Sequence, residues 1–173
     1  MLPRLDSLLA TTLLLAIWPL AGCADKATYS PGTERKFREP RKHEAVASDP
    51  DAGALLVTDI GPLEGGGFRW TGANPEVKLE LPETRGLQLH ARFWLAEATL
   101  KKTGPIEIAY VVNGNELFRT KYSTPGEQNF DRPVDASALK VGSNTLRMAI
   151  DKTAAQEDGT RMGVALVELG FTN

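Results

Sequence analysis

From residue 54 onward the chain is written in a period of two. Val77, Leu79 and Leu81 alternate with Lys78 and Glu80, the pattern of a strand with one face in a core and one in water. Leu87, Leu89, Ala91, Phe93 and Leu95 mark the buried face of a second strand, and Gln88, His90, Arg92 and Trp94 its other face. Ile106, Ile108, Tyr110 and Val112 repeat the pattern up to Asn113-Gly114, a dipeptide that favours a tight hairpin because both residues tolerate positive φ. A two-residue loop pairing Val112 with Asn115 would set Ile108 against Arg119. A three-residue loop over 113–115 pairs Tyr110 with Phe118, Ile108 with Thr120 and Ile106 with Tyr122. Only the second keeps one face apolar, and a one-residue slip inverts the faces, so the longer loop is expected, with Gly114 or Asn115 left-handed.

Further strands are expected over 127–134, around Leu146, Met148 and Ile150, and over 163–171. The last has apolar residues on both faces, Val164 and Leu166 against Ala165, Val167 and Leu169, so a central or covered strand is expected. Helix signals are weak. Residues 97–102 are too few and are closed by Gly104-Pro105, and 135–140 make one turn capped by Asp135. Short strands separated by turn signals predict an all-β fold, an antiparallel β-sandwich over 54–173.

Upstream the grammar changes. Residues 8–20 (LLATTLLLAIWPL) form an apolar run preceded by Arg4, shorter than the helix that spans a bilayer core of roughly 30 Å. Leu20-Ala21-Gly22 then lead into Cys23, the chain's single cysteine. This order resembles the signal and lipobox of bacterial lipoproteins, although Asp6 dilutes the basic start. The resemblance implies cleavage after residue 22 and lipidation of Cys23, so the membrane becomes a partner through lipid. Several acyl chains, at about 0.8 kcal/mol per buried methylene, suffice for stable anchoring. In Gram-negative lipoproteins an aspartate directly after the cysteine favours inner-membrane retention; Ala24 stands here, which implies the periplasmic face of the outer membrane. An acylated Cys23 leaves no thiol for disulfides, thiol catalysis or a cysteine-metal site.

Residues 23–53 hold few large apolar side chains, several prolines and mixed charges, and read as a disordered tether between the signal (1–22) and the sandwich. Its coil dimension is about 30 Å. Arg35, Lys36, Arg38, Arg41 and Lys42 form a basic knot interrupted by Glu39, suited to an anionic surface or simply to solvent. The net charge of -2 offers no basic footprint for nucleic acid.

Gly67-Phe68-Arg69-Trp70-Thr71-Gly72, then Val77 to Leu81 with Pro82, Val111-Val112-Asn113-Gly114 and the late Leu139-Lys140-Val141-Gly142-Ser143-Asn144 follow one another in an order of their own. It looks like the galactose-binding-like jelly rolls of bacterial envelope proteins and carbohydrate-binding modules, in which an aromatic-led first strand, an Asn-Gly hairpin and a late Gly-x-Asn segment recur. The resemblance implies a jelly-roll sandwich and a glycan ligand.

Catalysis is poorly supplied. The histidines are His43 and His90, and no nucleophile elbow, zinc-binding helix motif or phosphate loop occurs, so no catalytic residue and no cofactor are expected. Asp151, Glu157 and Asp158 could offer oxygens to calcium, but their spacing fits no EF-hand and Asp158-Gly159 is an ordinary turn, so no metal is expected. Sugar binding asks for an exposed aromatic face among polar groups. Trp94 with Gln88, His90 and Arg92 fits, and Trp70 with Arg69 is a second candidate that reads equally as a core plug. The 151–163 loop could half cover Trp94. The partner is therefore a glycan or cell-wall polymer; the alternative is an envelope protein docked on a sandwich face or edge.

Labelled fatty acid should enter the chain in a bacterial host, and Cys23→Ser should abolish the labelling and leave the signal uncleaved. Unchanged processing and membrane retention of the variant would remove the lipid anchor.

Overall fold

The computed structural model describes residues 42–173. The lipobox-like segment with Cys23, and Arg35, Lys36, Arg38 and Arg41, lie outside the described residues. The strands are β1 (Glu44–Val46), β2 (Leu56–Leu63), β3 (Arg69–Leu81), β4 (Gln88–Leu95), β5 (Ile106–Val112) and β6 (Asn115–Tyr122). They continue with β7 (Gly126–Pro133), β8 (Gly142–Ile150), β9 (Ala154–Ala155), β10 (Arg161–Met162) and β11 (Ala165–Thr172), and one helix, α1, spans Glu97–Thr103.

All pairings are antiparallel. One layer runs β3-β8-β5-β6, with β2 on the outer edge of β3; the other runs β1-β11-β4-β7. This strand order is that of a jelly roll, two four-stranded sheets wound as Greek keys. The first two residues of β3 cross to the second layer and pair with β11. The expected β-sandwich is the observed one, and it takes in β1 and a 3-10 turn at Pro50–Ala54, most of which the sequence assigned to the tether.

The core lies where the alternating pattern puts it. Val77, Leu79, Ile108, Tyr110, Val112, Leu146 and Met148 from one layer meet Leu89, Phe93, Leu95, Leu166, Leu169 and Phe171 from the other, all fully or almost fully buried. The Tyr110 ring stacks on Phe130 at 4.0 Å between centroids, and the Tyr110 and Tyr122 hydroxyls meet at 2.7 Å. That bond satisfies two phenols whose burial drives their pKa values upward.

Three expectations need correction. The β5–β6 hairpin has the expected pairs Tyr110–Phe118, Ile108–Thr120 and Ile106–Tyr122, but Val112 pairs with Asn115. The loop is the two-residue Asn113-Gly114, both at positive φ (50° and 85°), and a bulge at Leu117 restores the apolar face. β11 is central, yet it is not apolar on both faces: a bulge at Val167 turns Leu166 and Leu169 alike into the core and leaves Ala165, Glu168 and Gly170 outward. Residues 97–103 do form a helix, held by a Glu97–Lys101 ion pair at 2.8 Å, by Leu100 packed on the core, and by Gly104 at φ 70°. Its docking outweighs its shortness. Asp135 caps a 3-10 turn at Ala136–Ala138 as expected.

The Asn-Gly hairpin and the late Gly-x-Asn segment meet in space. Asn144 is 1 % exposed and uses its whole amide. Its Oδ1 accepts from Lys140 N and Asn113 Nδ2 at 2.9 Å each, and its Nδ2 donates to the carbonyls of Lys140 and Gly142 at 2.7 and 3.0 Å. Asn144→Ala should lower unfolding free energy by about 2 to 3 kcal/mol, the penalty of stranding buried partners. Urea denaturation checks this; a loss within experimental error would refute the clasp.

Candidate functional site

The pairing of β11 decides which outward residues become neighbours. Ala165 stands opposite Trp70 of β3 on one side and opposite Trp94 of β4 on the other. Residues directly opposite in antiparallel strands point to the same face. Because Leu166 and Phe93, one step along, are core residues, that face is the outer one. Two tryptophans therefore flank one alanine in a row across three strands, their Cα atoms about 10 Å apart at ordinary strand spacing. Trp94 is 52 % exposed, and Ala165 between the two is buried.

Trp70 forms one wall of a cleft of about 380 Å³. Phe68 meets Trp70 edge-on at 5.6 Å and 85°. Ala96, Ala98 and Thr99 from the start of α1, Ala154 of β9 and Met162 of β10 complete an apolar lining, and Lys102 and Gln156 supply polar groups. The Lys102 ammonium donates to the Ala155 carbonyl at 3.0 Å, strapping α1 to the β9–β10 hairpin. That hairpin is closed by Gln156 N bonding the Thr160 carbonyl at 2.8 Å. So the 151–163 loop builds the cleft against Trp70, and Trp94 is half exposed. A mostly apolar cleft of this size with a few polar groups suits a small ligand with one ring face and several hydroxyls.

Gln88, His90 and Arg92 lie on the same outer face of β4, as expected, but His90 and Arg92 are committed to their neighbours. Arg92 grips Glu168 of β11 with two bonds, Nε to Oε2 at 3.0 Å and Nη2 to Oε1 at 2.6 Å. His90 bridges β7 and β11, with Nδ1 2.7 Å from Asp131 Oδ1 and Nε2 3.2 Å from Glu168 Oε2. Glu44 of β1, 6 % exposed, lies on the same cluster: one oxygen of Glu44, one of Glu168 and a ring nitrogen of His90 fall within 4.8 Å of one another. Burial pulls the imidazole pKa down, but hydrogen bonds to Asp131 and Glu168 and the charges of Asp131 and Glu44 outweigh it, leaving His90 above its ordinary value. The Arg92 hydrogen bond holds Glu168 below its own despite burial.

Arg69 does not share the outer face that carries Trp70 and Trp94. Its register partner Leu166 is a core residue, and its guanidinium donates to the carbonyls of Ala47 and Gly61 at 3.2 Å each, tying the chain after β1 to β2. Of the acids considered for calcium, Asp151 accepts from Glu107 N at 2.7 Å and Asp158 from Thr160 N at 2.9 Å, so each serves its own turn or strand end. Sequence reasoning missed Glu168, Asp131, Lys102 and Gln156. Glu168 had one available signal, a lone charge inside an apolar run; the others became neighbours only through strand order.

The fold and this surface define a jelly-roll β-sandwich with an aromatic cleft on one outer face. No protein-family model matches the chain, and no curated protein matches it. Among solved structures it is similar to a family 35 carbohydrate-binding module from an environmental isolate, at 14% identity over 75% of this chain and 92% of that one, with a TM-score of 0.49. A family 35 module from Paenibacillus barcinonensis is 20% identical over 75% and 98%, TM-score 0.41. A further family 35 module, in complex with a glucuronic acid containing disaccharide, is 14% identical over 79% and 91%, TM-score 0.40. These neighbours are carbohydrate-binding modules. Among the described residues no helix is long and apolar enough to cross a membrane.

The His90 network makes stability depend on pH. With the folded value raised above the reference of 6.5, the contribution is complete below the unfolded value and fades as pH rises through the folded one. The melting-temperature difference between wild type and His90→Gln should be largest below the reference value of 6.5 and shrink as the pH is raised above it. A difference that widens with pH would contradict the network.

Proposed function

We propose that this chain is the non-catalytic glycan-binding head of a lipid-anchored envelope protein, tethered through Cys23 and facing the periplasm from the outer membrane of a Gram-negative cell. One observation carries the sugar site: the register places Trp70 and Trp94 on one face with Ala165 between them, beside the Lys102–Gln156 cleft. An indole face packs against the C–H face of a pyranose, and Lys102, Gln156 and the backbone at the rim are placed to meet its hydroxyls. The site stands on paired strands and a strapped helix, so little ordering is needed on binding. An anchored head of this kind would hold a cell-wall polymer or other glycan close to the membrane.

A second reading has its own observation. On β2, whose outer edge pairs with no other strand among the described residues, Val57 and Leu63 are 53 % and 46 % exposed. Such an edge suits docking by an envelope protein.

A glycan array probed with the protein separates the two. Trp70→Ala and Trp94→Ala should each lower affinity for the retained glycan about tenfold, in line with loss of about 1 to 1.5 kcal/mol of ring contact. Trp94→Ala should leave the melting temperature nearly unchanged, since that ring is exposed. No glycan retained, or retention indifferent to both substitutions, would refute the site.

A further inference from the structure

The outer face around Trp94 has a charge pattern that selects among glycans. Glu127 of β7 is the direct cross-strand partner of Trp94, so the carboxylate-bearing side chain rises beside the indole on the same face. Glu127 is exposed; among the described residues no direct hydrogen bond or close ion pair holds its carboxylate, and the Arg92 charge reaches it only through space. Beyond it the same face carries Asp131, Glu168 and Glu44 against Arg92 and His90. Arg92 gives Nε and Nη2 to Glu168, and His90 contacts Asp131 and Glu168, so both cations are already charge-paired before any ligand arrives. Lys102 lines the cleft walled by Trp70, which Trp94 does not line, and its ammonium is bonded to the Ala155 carbonyl.

Resting on the sugar-binding reading above, we propose that the Trp94 end of the site recognises a cationic sugar, an amino sugar whose nitrogen is free rather than acetylated. An ammonium on a ring stacked at Trp94 gains twice: the electron-rich indole face attracts it, and the neighbouring Glu127 carboxylate pairs with it. An N-acetyl group offers no charge to either. A uronic acid or a sulfated sugar would bring its anion up to Glu127 and the acidic face behind it, where the local cations are already charge-paired. The discrimination is electrostatic and solvent-exposed, so salt weakens it.

Isothermal titration of the full chain with three probes tests this: a glucosamine hexamer, its fully N-acetylated counterpart and an oligogalacturonate, all in mildly acidic, low-salt buffer. The free-amine hexamer should bind about fivefold or more tighter than the acetylated one, the ratio should shrink in high salt, and the oligouronate should bind weakest. Glu127→Gln should bring the ratio close to one, whereas Glu83→Gln, an exposed acid in the β3–β4 loop, should preserve it. Equal affinities for the two hexamers, a preference for the oligouronate, or a ratio that survives Glu127→Gln overturns the charge selection while sugar binding stands. Failure to bind any of the three probes, together with an empty glycan array, overturns the sugar-binding reading and this inference with it.

Discussion

β11 is hydrogen-bonded along both of its edges, and that double pairing governs nearly everything else on the outer face. One edge is filled by β4 over its whole length, the other by β3 at Ala165 and Leu166 and by β1 from Glu168 to Gly170. A strand so held cannot slip by one residue without sending its core side chains into water. Its register therefore fixes, at once, the row Trp70–Ala165–Trp94 and the contact between Glu168 and Arg92. The bulge at Val167 is part of the same constraint. It absorbs the extra residue that lets Leu166 and Leu169 both face inward, and so delivers Glu168 to the outside, where a guanidinium and an imidazole meet it.

The same face shows a division of labour. Charged groups near its middle neutralise one another across three strands: Asp131 on β7, His90 and Arg92 on β4, Glu168 on β11. They stitch the sheet together, and Trp70 and Trp94 stand at one end of it. There the sheet is walled by α1 and the β9–β10 hairpin, which the Lys102–Ala155 bond joins. A surface built on hydrogen-bonded strands and backed by a closed core is stiff, which is what the proposed ring stacking requires, since small displacements lose contact area. At the opposite end of the sandwich Asn144 and Asn113 perform the equivalent structural task in a buried setting, with every polar atom of Asn144 satisfied.

Much of this was legible in the chain because strand alternation is a local property. Whether Leu89, Ala91 and Phe93 point inward together depends only on their spacing, and the same holds for Leu146, Met148 and Ile150. The positive φ of Asn113 and Gly114 and the cap at Asp135 are equally local. Errors arose where local rules met a bulge or a tertiary contact. At Leu117 and Val167 an inserted residue breaks the period of two, and nothing in a run of apolar residues marks where the insertion falls. Residues 97–103 are too few to hold a helix alone and hold one because Leu100 is packed on the core.

Sequence alone thus settled the class of fold, the inward faces of β3, β4, β5 and β8, and the presence of Trp70, Trp94 and a lone cysteine preceded by Leu-Ala-Gly. Tertiary structure alone decided that Trp70 and Trp94, on different strands, flank one alanine, that the 151–163 loop rises against the former, and that His90 and Arg92 are paired with Glu168 and Asp131. The reason is physical. Alternation encodes which way a side chain points, but which strand lies beside which is set by the closing of a core over long chain separations, and neighbours across a sheet leave no trace in the spacing of either partner.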